Sequence, residues 1–327
     1  MPLSSPARSL ARVDSVSPKA SSAAGAPTLW LHRYAKVLAC ATLLLVAAGG
    51  MVTSTSAGLS VPDWPTTYGY PMFSFPLHQM VGGIFYEHGH RLIASTVGFL
   101  TIGLGVFLWM AEPRRWVRWL GVLALAAVVI QGVLGGLTVL FFLPPAISIA
   151  HAGLAQLFFC LTVSIALVTS PGWRHPALRP VDDERLRRTL VILASLVYVQ
   201  ILIGATMRHL GAGLAIPDFP LAFGRLIPPT WTVPIAIHFA HRTVALVVTI
   251  FVLVLALRVL RSYRDHPELA RVAWSLLFAV AMQVTLGAFV VLSGKQPIVN
   301  TLHVATGALV FAATVVLTLR AYRVRFA

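Results

Sequence analysis

Long apolar runs alternate with short polar segments along almost the whole chain, and each run is near the roughly 20 residues a helix needs to cross a hydrocarbon core. The pattern predicts eight membrane-spanning helices, near 37–55, 88–110, 117–140, 148–169, 188–208, 238–258, 271–292 and 299–319. The expected fold class is an all-α polytopic membrane protein. Composition agrees: 57% of residues are hydrophobic, 11% are charged and the mean hydropathy is +0.83, far from the usage of soluble domains.

A net charge of +15 raises the question of a nucleic-acid partner, but the basic residues follow topology rather than forming one face. Of the 25 Lys and Arg, 20 lie in the N-terminal segment, the second, fourth and sixth connections or the C-terminal tail, all on one side if the spans alternate. The positive-inside rule then places both termini in the cytoplasm and predicts an inner (plasma) membrane protein with no nucleic-acid role. Residues 1–28 lack the apolar core of a secretory signal and read as part of a disordered cytoplasmic tail covering 1–36. Their paucity of acids also suits an organelle transit peptide, so the mitochondrial inner membrane is the second choice. Cys40 and Cys160 fall inside apolar spans, where small buried thiols are expected rather than a disulfide or zinc site.

The chain repeats itself. Gly58-Leu59-Ser60-Val61-Pro62-Asp63-Trp64-Pro65 returns as Gly213-Leu214-Ala215-Ile216-Pro217-Asp218-Phe219-Pro220 at an offset of 155 residues. His90-Arg91 returns as His241-Arg242 at 151, while Gln131, Gly135 and His151 return as Gln283, Gly287 and His303 at 152. Such steady offsets define two tandem four-helix halves, 37–170 and 188–327, joined by a cytoplasmic linker at 171–187. Each half has an even number of spans, so a pseudo-twofold axis along the membrane normal is expected.

Under this topology spans two, four, six and eight start on the outer side, and each starts with a histidine: His90, His151, His241 and His303. In an up-down bundle, alternate helices lie diagonally across the core, so two imidazoles per half can face each other. Paired imidazoles without cysteines or a carboxylate cluster suit haem iron, whereas zinc asks for further ligands and copper usually for sulfur. Glu87 shares a helix face with His90, and the matching residue of the second half is His238. Only the first half thus offers a carboxylate for proton transfer or charge stabilisation, unless Glu87 is simply hydrogen-bonded at a helix start. His88 has no role assigned by this pattern. Arg91 and Arg242 are candidates for carboxylates such as haem propionates, or for anchoring at the interface. The long outer loops near 57–86 and 209–236 suit either pocket lids or aromatic belts. Gln131, Gln200 and Gln283, each four residues before a glycine, read as helix-packing polar contacts.

Taken together, Tyr86-Glu87-His88-Gly89-His90-Arg91, the Gly-Leu-x-x-Pro-Asp-Trp-Pro loop, His151, His241-Arg242 and His303 resemble the haem A synthase family over about residues 37–320. That resemblance implies an oxidoreductase that converts the C8 methyl of haem O to a formyl group by successive hydroxylations and loss of water. It also implies a haem b cofactor on His241 and His303, a substrate porphyrin near Glu87, His90 and His151, and haem O synthase as supplier. The product would serve cytochrome oxidase assembly. Many bacterial members carry a cysteine pair in an outer loop, and this chain has none there, which leaves no such pair for a redox role. A homo-oligomer is compatible with the sequence. Two other functions fit the residues: a di-haem b membrane electron carrier, and a transporter or assembly factor that holds no tight haem.

Overall fold

The computed structural model describes residues 26–174 and 181–323. Eight long helices are long and apolar enough to span a membrane: α1 (Ala26–Ser54), α2 (Gly82–Ala111), α3 (Arg115–Leu140), α4 (Pro145–Val168), α5 (Glu184–His209), α6 (Val233–Ser262), α7 (Pro267–Leu292) and α8 (Pro297–Tyr322). The protein is an all-helical, multi-pass membrane protein. Helices suit this solvent because each satisfies its backbone hydrogen bonds internally where lipid offers none. Hydroxyl groups follow the same rule: Thr101 Oγ1 donates to the Val97 carbonyl at 2.7 Å and Thr314 Oγ1 to the Val310 carbonyl at 2.8 Å.

Proline and capping side chains set several helix starts. Pro145, Pro267 and Pro297 open α4, α7 and α8, where a missing N–H costs nothing. Asp183 accepts from Leu186 N at 2.9 Å to start α5, and Gln296 Oε1 accepts from Val299 N at 2.8 Å to start α8.

All eight expected spans are present, with corrected boundaries. The expected disordered tail to residue 36 is overturned from Ala26 onward, because α1 already begins there. His32, Arg33 and Lys36 interrupt the apolar run but not the helix, and Arg33 lies over the Trp30 ring. The earlier tail lies outside the described residues. Likewise α2 begins at Gly82 and α6 at Val233, about one and a half turns before the apolar pattern suggests. The first turns carry Glu87 or His238 and so score as polar, but both side chains are buried inside the protein. Within the expected linker, residues 175–180 lie outside the described residues, and Pro171–Arg174 forms a single helical turn.

Helices α1–α4 close into a ring in which α1 touches α2, α2 touches α3, α3 touches α4 and α4 touches α1; α5–α8 close in the same order. Helix α8 also packs on α1 and α4, and α4 on α5, so these contacts join the rings. Lipid-facing positions such as Leu44, Val106, Trp274 and Phe278 are exposed, as an apolar solvent allows. The tight core of each ring lies at one end. Leu31, Leu38, Leu104, Leu108, Val117 and Ile165 pack the first, and Leu186, Leu190, Leu193, Leu255, Leu276 and Leu317 pack the second. These residues come from the starts of odd helices and the ends of even ones, so they share a membrane side. The four histidines occupy the opposite end.

Candidate functional site

His90 and His241 lie eight residues into α2 and α6, and His151 and His303 lie six residues into α4 and α8. At 1.5 Å per residue these depths are about 12 and 9 Å. All four imidazoles are therefore inside the bundle rather than at the helix mouths, which corrects the expectation that each span opens on its histidine. His90 and His151 are electrostatic neighbours, as are His241 and His303. The structure brings the expected pairs together.

Each imidazole is seated on a glycine of the preceding helix. A Cβ added at Gly49, Gly135, Gly204 or Gly287 would lie 3.1, 3.2, 2.8 or 3.0 Å from Cε1 of His90, His151, His241 or His303 respectively. The same ring atom faces the glycine in every case, so the device recurs four times, once per helix pair. Glutamines one turn earlier complete three of the four. Gln131 Nε2 donates to the His151 carbonyl at 3.0 Å, and Gln200 Nε2 lies 2.9 Å from the His241 carbonyl and 3.0 Å from its Nδ1. His303 Nδ1 donates to the Gln283 carbonyl at 3.2 Å, with Gln283 Nε2 3.3 Å from His303 Nε2. The glutamines are the polar contacts the sequence suggests, but their partners are the imidazoles. In α1 the corresponding position is Leu45, and His90 Nδ1 is buried without a partner.

A cavity of about 550 Å³ in the second half is lined by His241 and His303 together with Gln200, Gly204, Gln283 and Gly287. It is predominantly apolar, and Phe219, Pro220, Ala222 and Leu226 of the second outer loop contribute to its wall. This size and character suit a flat organic cofactor.

Each outer loop is clamped to its half. Glu87 is buried, with Oε1 accepting from Arg91 Nη2 at 2.8 Å and Oε2 from Val61 N at 2.9 Å. Arg91 also donates to the carbonyls of Asp63 at 2.8 Å, Thr66 at 2.9 Å and Val61 at 3.2 Å. In the second half Ile216 N and Arg242 Nε lie 3.2 and 3.1 Å from the two ring nitrogens of His238. Arg242 donates further to the Ile216 and Leu221 carbonyls at 3.1 and 2.9 Å. Glu87 and His238 thus occupy one structural position, and the terminal nitrogens of Arg91 and Arg242 are committed to loop backbone rather than held free for a ligand carboxylate. His88 also anchors the loop: it is buried, 2.9 Å from Thr67 Oγ1, with its ring 4.9 Å from that of Phe75. Trp64 lies on α3 so closely that a Cβ at Gly136 would come within 2.5 Å of its ring.

Asp63 shapes the first loop by accepting from Tyr68 N at 2.7 Å and Gly69 N at 2.9 Å; Asp218 accepts from Phe223 N and Gly224 N, both at 2.7 Å. These bonds hold Tyr68-Gly69 and Phe223-Gly224 at positive φ, a conformation glycine adopts freely and Tyr or Phe does not. Burial pushes the Asp63 carboxyl up, but the N–H and hydroxyl donors outweigh it and hold it below the usual range. Hydrogen bonds from Gly224 and Phe223 hold Asp218 low in the same way.

The thiol expectation holds for Cys160, which is buried, but Cys40 is exposed on α1.

A profile of the family described as cytochrome oxidase assembly protein matches residues 32–315. The chain belongs to that family. Relatives within reach include the heme A synthase of Symbiobacterium thermophilum, 32% identical over 271 residues that make up 80% of this chain and 85% of the relative. The heme A synthase of Alkalihalophilus pseudofirmus is 24% identical over 291 residues, covering 88% of this chain and 96% of the relative. That of Chelativorans sp. is 28% identical over 316 residues, with 83% and 85% covered. The matched stretch of this oxidase-assembly chain contains all four histidines, both outer loops and Glu87. Sequence reasoning missed the four-glycine cradle, although Gln-x-x-x-Gly recurring in α3, α5 and α7 carried the signal.

Proposed function

We propose that the chain is a haem A synthase, oxidising the C8 methyl of haem O to the formyl group of haem A. Haem b is the resident cofactor on His241 and His303, and haem O binds in the N-terminal half beside His90 and His151. The single observation that carries this reading is a chain of this family with two matched histidine pairs whose adjoining position is Glu87 in one half and His238 in the other. The residues fit porphyrin iron: four imidazoles seated on glycines, a cavity lined by one pair, and His90 and His151 Nδ1 buried without partners. When bound, haem b supplies one-electron redox chemistry. The chain's own contribution is positional. A glycine seats each imidazole and a glutamine holds three of them, the loops close the outer end, and Glu87 places negative charge one turn before His90, where cationic character or a released proton could be met. Haem O synthase would supply the substrate from within the bilayer. Both termini lie in the cytoplasm, so the sites face the outer side.

One observation favours the di-haem electron carrier: Glu87 and His238 both clamp a loop, so the carboxylate has a structural task without any chemistry. Glu87→His separates the two readings. Glu87→Gln and Glu87→His both remove the anion beside buried Arg91, but histidine is the side chain that stands beside Arg242 in the second half and so the one shown to fit this position. Histidine already performs the clamp at the matched position. In cells making haem O, Glu87→His should give folded protein with its haem b spectrum retained, no haem A, and accumulated haem O on pigment chromatography. Near-normal haem A would remove Glu87 from the chemistry, and a wild-type protein that yields no haem A would favour the carrier.

A further inference from the structure

Arg208 stands in the last turn of α5, one turn beyond Gly204, on which His241 is seated. Its side chain lines the second-half cavity beside His241 and His303. Nη1 donates to Thr53 Oγ1 of α1 at 3.0 Å, Nε is buried with no hydrogen-bond partner, and among the described residues no carboxylate pairs with it. Among the described residues the titratable groups that feel Arg208 are His209 and His151, neither of them an anion. A guanidinium stays protonated under all ordinary conditions, and an unpaired one inside a membrane bundle is expensive. The other outer-side arginines of the histidine helices, Arg91 and Arg242, are already spent on loop carbonyls. Arg208 keeps its Nε–Nη2 edge, the edge that grips a carboxylate with two parallel bonds.

We propose that Arg208 is the carboxylate anchor of the C-terminal cavity, pairing with a propionate of the porphyrin held between His241 and His303. The inference rests on the haem reading above. An apolar cavity with two facing imidazoles takes the ring, and a lone guanidinium at its rim takes the acid. Through Thr53 the anchor is also fastened to the N-terminal half, so the bound acid group sits where the two rings meet.

The test uses full-length wild type, Arg208→Gln and Arg208→Lys, purified with their haem. Haem transfer to a soluble scavenger should be on the order of tenfold faster from Arg208→Gln than from wild type, with Arg208→Lys between them. Protein stripped and reloaded with the dimethyl ester of haem should lose it at the same rate from wild type and Arg208→Gln, since no acid remains to be held. Stripped Arg208→Gln should melt no lower than stripped wild type, because removing an unpaired buried charge costs the empty protein nothing. Equal loss of free-acid haem from all three proteins would overturn the proposal. So would a lower melting temperature of stripped Arg208→Gln, which would make Arg208 a fastener between α5 and α1. Wild type purified without any haem would instead bring down the haem reading itself.

Discussion

At the scale of single residues, the seat of each imidazole is decided by an absent side chain. Gly204 and Gly287 lie where a methyl group would come 2.8 and 3.0 Å from Cε1 of His241 and His303, closer than carbon atoms pack. Alanine would gain up to about 1 kcal/mol of helix propensity but impose about 1–3 kcal/mol of overpacking, and the ring is the part that can move. Gly204→Ala should therefore leave a folded membrane protein whose bound-haem absorption is shifted or lost. Gly132 of the neighbouring half has open space at its Cβ, so Gly132→Ala should leave the spectrum unchanged. An unaltered spectrum in Gly204→Ala would show that the cradle does not set the ligand position. The gap at Leu45 makes His90 the one histidine of the four without a glutamine beside it.

At the scale of elements, the outer loops matter as much as the helices. Each is a turn built on one aspartate and clamped by one arginine, and the second forms part of the cavity wall. Since the folded Asp218 carboxyl is held below its ordinary value, the turn's stabilisation is fully present above about pH 4 and is lost as pH falls through the lower folded value. Hydrogen exchange at the Phe223 and Gly224 amides should therefore be protected at neutral pH and lose protection, beyond the intrinsic pH trend, in acid. Asp218→Asn should abolish that extra pH dependence and expose both amides throughout. Protection that is the same in wild type and variant would mean that the turn holds without the carboxylate.

For the whole molecule, two closed four-helix rings each place a packed apolar end on one membrane side and a histidine end on the other. Buried Glu112 reinforces the packed end of the first ring, accepting from Arg114 Nε at 2.7 Å and Arg174 Nη2 at 2.6 Å. Asp183 does so in the second, pairing with Arg258 at 2.8 Å and with the Tyr263 hydroxyl. The cationic side thus coincides with the packed side. Reporters inserted after Phe73 and after Asp265 should report the outer side and the cytoplasm respectively. The reverse pattern would turn the histidine ends inward and break the proposed geometry.

Much of this was legible in the residues alone, because a bilayer leaves few choices. Span number, pairing of the histidines and the internal repeat follow from apolar run length, helix periodicity and landmarks at constant offset, all local properties of the chain. Helix starts were less legible: hydropathy scores Glu87 and His238 as polar, while the folded chain pairs Glu87 with Arg91 and Val61, buries His238 with one ring nitrogen accepting from Ile216 N or Arg242 Nε, and lets the helices run on. The same loop bonds removed Arg91 and Arg242 from the list of free cations, and the cavity wall singled out Arg208, which sequence could not distinguish from any other arginine on the outer side. Whether a charge is spent or available depends on which atoms lie within about 3 Å of it. Those atoms come from segments far apart in the chain, so only the tertiary structure decides it.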